Sequence, residues 1–362
     1  MSDTSSCVFI TNNIGGEFAK RTIERLKGYC EQTERKEIEL SNVLSEEFHN
    51  KEPQVKPLTS IRKKDVHFIC CIRQDGTYAM YKDCFEMFCL LDALNRAGAK
   101  SINLYIPGMP FMRQDSKFEG REPITAKLFF NLIVVAAGRS LERIITVDLH
   151  SKSEQGFVDL PLDDLKAMPL FILYCKMFKK LKAKSKEDIV VVSADSGAVE
   201  KNKKFAEFLD MSYFAMPKTR QQGKEAEVAL PKESLGFLKQ LLKGKTIIII
   251  EDMIDTGGTL LSVNNILQDF KVAEVYVFAT HGIFSNNACE KLRKSGIKVL
   301  ITDTIPWPKD FYEKNKDWLT VVSMSEYFAE AIYANQVADS MSDTIRRKFE
   351  DSINGVGDLI FL

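Results

Sequence analysis

Residues 247–259 read IIIIEDMIDTGGT: four isoleucines run into acids, and the acids run into two glycines set between threonines. A β-branched run this dense and too short for a helix predicts a central strand buried on both faces. The next segment, Leu260 to Phe270, carries apolar residues at 260, 261, 263, 266, 267 and 270, the spacing of an amphipathic helix. The stretch therefore reads as strand, loop, helix. In open parallel sheets, ligands bind beyond the carboxyl ends of strands, where a turn hands the chain to a helix N-terminus. Free backbone N–H groups and the helix dipole favour an anion there, and Gly257 and Gly258 leave the backbone room to wrap it. A phosphate is the natural guest. Glu251, Asp252 and Asp255 would repel it unless they hold sugar hydroxyls, or a metal ion bridging to the phosphate. Turn and acids together describe a ribose phosphate site. Read without the acids, the string is a polar loop with a helix cap at Thr256 or Thr259. It is neither the nucleotide fingerprint G-x-G-x-x-G nor the P-loop.

The bulk of the chain narrows the setting. Its 362 residues allow two α/β domains with full cores. Lys plus Arg and Asp plus Glu stand at 50 each, so net charge recommends neither nucleic acid nor an acidic membrane, and anion binding has to be local. The eight cysteines, Cys7, Cys30, Cys70, Cys71, Cys84, Cys89, Cys175 and Cys289, show no paired C-x-x-C, and several fall in apolar segments. They read as buried thiols of a reducing cytosol rather than a disulfide or zinc framework. No apolar run of about 18 residues occurs, and the start MSDTSSCVFI lacks a basic n-region and a long apolar core. A soluble, cytoplasmic protein is expected.

Along the chain, CVFITNN (7–13), VHFICC (66–71), INLYIP (102–107) and RIITVD (143–148) read as strands, with helical patterns near 17–31, 82–97 and 124–138. The segment 45–64 reads as surface loop or β-ribbon. The alternation then starts again: a helix over 163–184, strand DIVVVS (188–193), a helix near 198–209, strand SYFAM (212–216), a helix over 233–243 and the isoleucine strand. Such alternation predicts parallel sheets with helices on both faces. LNRAGAKSINLY (94–105) and LQDFKVAEVYVF (267–278) share a helix end, a short turn and a strand, an echo that suggests duplication. Two similar α/β domains are expected, 1–157 and 158–362, with the last helices packing back on the first.

Three further constellations follow strands. IPGMPFMRQDSKFEGREPITAK (106–127) carries Arg113, Gln114, Asp115, Lys117, Arg121 and Lys127. An arginine fork suits two phosphate oxygens at once, and Gln114 and Asp115 could meet purine edges or ribose hydroxyls. As composition alone, the run is a solvated loop. In TVDLHSKSEQGF (146–157), His150 ends a buried strand, where an imidazole can meet a metal or a phosphate. Asp195, in VVSADSGA, ends another. A carboxylate and an imidazole suffice for Mg²⁺, which takes few protein ligands when phosphates supply the rest. In AMPKTRQQGKEAEVAL (215–230), Lys218 and Arg220 stand two apart, so in an extended loop they point the same way. A mobile loop with two cations could close over a polyphosphate; by composition it is a surface loop.

Taken together these segments reach a family. The D-T-G-G-T string resembles the PRPP loop of type I phosphoribosyltransferases. RQD after IP, REPITAK, TVDLH with QGF, the Lys-x-Arg loop, EDMIDTGGTL, ATHGIFSNNA and DTIP, over roughly residues 62–306, resemble the ribose-phosphate pyrophosphokinase (PRPP synthetase) family in order and spacing. The resemblance implies an α/β fold of two similar phosphoribosyltransferase-like domains, the first on the ATP side and the second carrying the PRPP loop. It implies Mg²⁺-dependent transfer of the pyrophosphoryl group of ATP to the anomeric hydroxyl of ribose 5-phosphate, giving PRPP and AMP. Asp255, Thr256, Gly257, Gly258 and Thr259 would cradle the 5-phosphate, and Glu251 and Asp252 would hold the ribose hydroxyls or their metal. Arg113, Gln114, Asp115 and His150 would bind ATP, His150 and Asp195 would organise Mg²⁺, and Lys218 and Arg220 would be the catalytic pair. A homo-oligomer is implied as well. The sequence departs from the family's F-S-D-G-E, with Asn42 in place of the acid, and from D-x-G-G, with Ala198 in place of the last glycine. Two alternatives go with these departures. One is the same transfer to a larger 5-phosphorylated ribose such as ADP-ribose. The other is a non-catalytic PRPP-synthetase-associated regulatory subunit, against which the intact Lys218, Arg220, His150 and Asp255 argue.

Overall fold

A computed structural model describes residues 7–31, 38, 40–178, 181, 184–194, 197–216, 218–219, 227–228, 232–337, 339–340 and 343. In chain order the first strands are β1 (Cys7–Thr11), β2 (Leu40–Ser41), the antiparallel hairpin of β3 (Val43–Glu47) and β4 (Pro53–Pro57), then β5 (Asp65–Ile69), β6 (Ser101–Tyr105), β7 (Leu141–Val147) and β8 (Leu162–Leu165). The second series is β9 (Ile189–Ser193), β10 (Ser212–Ala215), the antiparallel pair β11 (Lys218–Thr219) and β12 (Glu227–Val228), then β13 (Thr246–Ile254), β14 (Glu274–Gly282), β15 (Lys298–Thr302) and β16 (Leu319–Val322). Two six-stranded sheets result, ordered β2-β1-β5-β6-β7-β8 and β10-β9-β13-β14-β15-β16. Every main-sheet pairing is parallel.

The two sheets are wound alike. In each, the second main strand lies outside the first, the third crosses to its other side, and the rest follow outward, with the two-stranded ribbon inserted between second and third. The echo between 94–105 and 267–278 falls where a helix feeds the fourth main strand, β6 or β14. Ile247, Ile248, Ile249 and Ile250 have no exposed surface, and β13 lies inside its sheet between β9 and β14. A strand covered on both faces has no use for alternation, and the sequence shows none.

The described residues divide into two compact units, one drawn from Met1–Lys166, Asp303–Trp307 and Met324–Asp351, the other from Ala167–Thr302 and Pro308–Ser323. The first runs on to Lys166 because β8 completes its sheet against β7, with Asp163 meeting Arg143 of that strand. The helix expected over 163–184 is therefore a strand followed by the shorter helix Met168–Met177. Pro169 lies in the first turn of that helix, where its missing N–H costs nothing. The helix Ser325–Val337 returns to the first unit and packs on the helix Gly16–Glu31, with Phe18 edge-on to Phe328 at 5.2 Å. Arg21 bonds Asp303 at 2.9 Å, and Asp303 accepts the Met324 N–H at 2.8 Å, fastening both returning segments. Cys70, Cys71, Cys84 and Cys175 are buried free thiols. Among the described residues, no helix is long and apolar enough to cross a membrane.

Candidate active site

In the second unit the strand order reverses between β9 and β13, so the crevice beyond their carboxyl ends is the topological switch point of the sheet. β13 continues further than the residue pattern suggests. Glu251 and Met253 still pair with Ala279 and His281 of β14, leaving Asp255, Thr256 and Gly257 as the turn. Glu251 and Asp252 thus leave the strand on opposite faces instead of sharing a loop. The turn is fastened from the next connection. Ile254 accepts the Ile283 and Phe284 N–H groups at 2.9 and 3.0 Å, and the Ser285 hydroxyl donates to the Asp255 carboxylate.

Gly257 caps the helix Gly258–Asp269 with φ 71°, a left-handed conformation, and a Cβ there would lie 3.4 Å from Leu292 Cδ2. The left-handed φ favours glycine at this position, while the contact with Leu292 is an ordinary one. Gly258 carries no such demand: it is exposed, and a Cβ would meet only Thr256 Oγ1, at 3.7 Å. Thr256 and Thr259 are exposed beside it, at the helix end whose first N–H groups lack helical partners. Behind the turn, Asn202 of the helix Val199–Leu209 is buried and holds both the N–H and the carbonyl of Ile250 at 2.8 Å. Lys201, beside it, reaches the Glu251 carbonyl at 3.3 Å. Neither residue was legible in VEKNKKFAEFL, where polar side chains read as a solvated face. Asp195, just past β9, and Arg220 lie outside the described residues. Lys218 opens β11 and pairs with Val228 of β12, so at that residue the backbone is a paired ribbon rather than an irregular loop.

In the first unit the equivalent switch point, between β1 and β5, is closed by protein. Asn12 donates to the Cys71 carbonyl at 2.7 Å and accepts the Cys71 and Gly15 N–H groups at 3.1 Å each. The candidate ATP residues lie past the adjacent strands β6 and β7. The β6 connection is held close to the segment 303–307: a Cβ on Gly108 would fall 2.4 Å from Ile305 Cδ1 and 2.9 Å from the Thr304 carbonyl oxygen. Phe111, at φ 67°, packs its ring against Tyr81 and Phe129 at 6.0 and 5.2 Å. Arg113 is exposed, and Gln114 and Asp115 are half-buried. The Gln114 side-chain oxygen accepts the Thr125 hydroxyl at 3.2 Å and its carbonyl accepts the Ala126 N–H at 3.3 Å, so this residue fastens the start of the helix Thr125–Ala137.

His150 lies beyond the end of β7, exposed, after Asp148 at φ 43°. The strand end itself is therefore not where its imidazole sits. Asp148 is buried and ion-paired with Lys166 at 3.5 Å, and Lys166 also bonds Asp164. Further along the same connection, in the 3-10 turn Lys152–Phe157, Glu154 is fully buried, three residues after Ser151, whose hydroxyl caps the turn by accepting the Ser153 N–H. Burial pushes its carboxyl up to about 8; His150 and the Ser151 backbone pull the other way, and Asp115 and Asp164 add to the rise. In the run SKSEQ the one mark of Glu154 is the spacing Ser151-x-x-Glu154, that of a capping box, which says nothing of its burial. Among the described residues, no cluster of three or more His, Cys, Asp or Glu is arranged to hold a metal ion.

Residues 8–138 match the N-terminal domain of ribose phosphate pyrophosphokinase, and residues 217–346 match the phosphoribosyl synthetase-associated domain. The ribose-phosphate pyrophosphokinase of Fusobacterium nucleatum is 35% identical over 299 residues, 82% of this chain and 87% of that protein. That of Caldanaerobacter subterraneus is 38% identical over 286 residues, 79% of this chain and 84% of that one. The chain belongs to the ribose-phosphate pyrophosphokinase family. The crystal structure of phosphoribosylpyrophosphate synthetase from Mycobacterium smegmatis agrees in fold, with a TM-score of 0.76 at 30% identity over 92% of this chain and 99% of that one. As a ribose-phosphate pyrophosphokinase family member the chain is a transferase of the pyrophosphokinase type, built as two parallel α/β sheets flanked by helices.

Proposed function

We propose that the protein transfers the β,γ-pyrophosphoryl group of ATP, with Mg²⁺, to the anomeric hydroxyl of ribose 5-phosphate, yielding PRPP and AMP. The observation that carries this reading is the left-handed Gly257 turn that delivers β13 to an exposed helix N-terminus, with Asp255 held by Ser285 beside it. That turn offers the Thr259 N–H group and the Thr256 and Thr259 hydroxyls to the 5-phosphate, with the Gly258 N–H donating to the Thr256 hydroxyl at 3.4 Å. Glu251 and Asp252 are hydrogen-bond acceptors for ribose hydroxyls, approaching from the two faces of the strand. On the nucleotide side, exposed Arg113 and His150 meet the phosphates, and Asp115 meets the nucleoside. The anomeric oxygen attacks the β-phosphorus in line, its proton is released, and the bond from the β-phosphorus to the α,β-bridging oxygen breaks so that AMP leaves. The protein's work is positioning and charge neutralisation, which we assign to Lys218 and Arg220.

The carboxylates offered by this chain are hard oxygen donors of the kind Mg²⁺ takes in ones and twos. Asp195 is the candidate for that role, and the bound ion would neutralise the triphosphate. Free buried thiols support a cytoplasmic setting. Exposed apolar side chains on two helices that pack together, Tyr81 and Phe85 with Leu128, Leu132 and Val135, support a homo-oligomer, which light scattering would test. The domains take the roles of ATP side for the first unit and acceptor side for the second. The deciding assay follows AMP release from ATP and Mg²⁺ with either ribose 5-phosphate or ADP-ribose. AMP with ribose 5-phosphate alone is expected; AMP only with ADP-ribose, or ADP instead of AMP, would overturn the reading.

A further inference from the structure

In the connection after β14, Phe284, Asn286 and Asn287 stand in the left-handed region, at φ 52°, 51° and 58°. None is glycine, and a side chain takes that conformation at a cost. Such backbone persists where its surroundings over-determine it, and it gathers at functional sites. The surroundings here are specific. Phe284 is buried, its ring 6.0 Å from those of Phe311 and Trp318 alike. Ile254, the last residue of β13, accepts the Ile283 and Phe284 N–H groups at 2.9 and 3.0 Å. The Ser285 carbonyl accepts the Ala288 N–H at 3.1 Å, where the helix Ala288–Lys294 begins. Ser285 itself is outside the left-handed region, and its hydroxyl donates to the Asp255 carboxylate. The contorted backbone thus delivers one hydroxyl to one carboxylate of the neighbouring turn.

Asp255 has a use for such a partner. An aspartate in a turn tends to bond the backbone N–H two residues on, which from this position is that of Gly257. A negative charge settled there would repel a phosphate dianion brought to the same turn. We propose that Ser285 is a positioning residue for the acceptor: its hydroxyl holds the Asp255 carboxylate to the β14 connection, which leaves the Gly257 turn open to the phosphate. The inference rests on the reading of that turn as the 5-phosphate site, and not on any assignment of the nucleotide residues. It gives the strained connection a task. A rigid Phe284–Asn287 segment keeps the hydroxyl in place, and Asp255 is the only group through which Ser285 acts on the sugar phosphate.

The test is calorimetric titration of the whole protein with ribose 5-phosphate, in the presence of Mg²⁺ and the α,β-methylene analogue of ATP, whose bridging bond does not break. Wild type, Ser285→Ala, Ser285→Thr, Asp255→Ala and the Ser285→Ala, Asp255→Ala double variant are compared, with the affinity for the analogue alone measured beside them. Ser285→Ala should lose affinity for ribose 5-phosphate about tenfold, the scale of one hydrogen bond to a charged group, and keep its affinity for the analogue. Ser285→Thr, which restores the hydroxyl, should bind as wild type does. In the Asp255→Ala background, Ser285→Ala should change nothing further, since its effect passes through the missing carboxylate. Full affinity for ribose 5-phosphate in Ser285→Ala overturns the inference, as do additive losses in the double variant. Equal losses for both ligands assign Ser285 a structural role and overturn it too. Should Ser285→Ala fail to fold, Ser285→Cys, a weak donor, takes its place in the same cycle. The expected binding pattern without AMP formation from ATP and ribose 5-phosphate would defeat the functional reading and leave this one standing. AMP formed by wild type, with full affinity in Ser285→Ala, would overturn this one alone.

Discussion

Two residues make opposite demands on the chain, and only one of them is visible in the sequence. Gly257 is legible because its requirement is local: a strand must turn into a helix within three residues, and the left-handed φ of 71° favours glycine. Gly257→Ala should cost ~1–2 kcal/mol in urea unfolding and raise the Michaelis constant for ribose 5-phosphate more than that for ATP; equal changes in the two constants would count against the turn as the phosphate site. The burial of Glu154 is illegible because it is created by the helix Thr125–Ala137 and β8, which pack on a largely polar turn. Its folded carboxyl is raised from 4.5 to about 8 by burial, so the folded state holds a proton that the unfolded chain has released. The sign follows: its contribution to stability is present at low pH and is lost as pH rises from about 4.5 through about 8. Thermal melts of Glu154→Gln should therefore gain on wild type across that window and run parallel above it; a constant difference would show that the group does not titrate.

Among the elements, β13 is held at Ile250 by a side chain from a neighbouring helix. Asn202 answers the N–H and carbonyl of Ile250 together, both at 2.8 Å, at the point where the strand passes beyond its paired residues on β9. Asn202→Ala leaves two buried backbone groups without partners and should destabilise by ~1–3 kcal/mol per group, with faster amide exchange at Ile250 and Glu251 than at Ile247. Uniform protection along the strand would contradict that role. The strands and helices with strong periodicity were legible, as the isoleucine run and the helix after it show. The helix expected over 163–184 was not resolved correctly, because the short strand β8 is recognisable only by the partner it finds in β7. The acids at 251 and 252 were placed in a loop for a similar reason: only pairing with β14 carries the strand through them.

At the scale of the molecule, the same winding order occurs twice, but the two switch points are used differently. One is bridged by Asn12, while the other leads into the Gly257 turn. The duplication left a faint trace in the sequence; the closure left none, since an asparagine at a strand end reads equally as ligand or staple. The first unit includes the helix Ser325–Val337. Phe328 in that helix is fully buried against Phe18 and Tyr105, at 5.2 and 6.3 Å. Phe328→Ala should cost ~3–5 kcal/mol and loosen amide exchange in the helix Gly16–Glu31 and β6 while β13 keeps its protection. Loss of protection shared equally by both sheets would contradict the division into units.

Phosphorus magnetic resonance follows the proposed reaction most directly. With ATP, Mg²⁺ and ribose 5-phosphate, the signals of ATP should give way to those of AMP and of a diphosphate attached to the sugar's anomeric oxygen, in equal amounts, and the conversion should vanish in Lys218→Ala although that variant folds. Appearance of ADP with a singly phosphorylated anomeric carbon, or an undiminished rate in Lys218→Ala, would contradict the account.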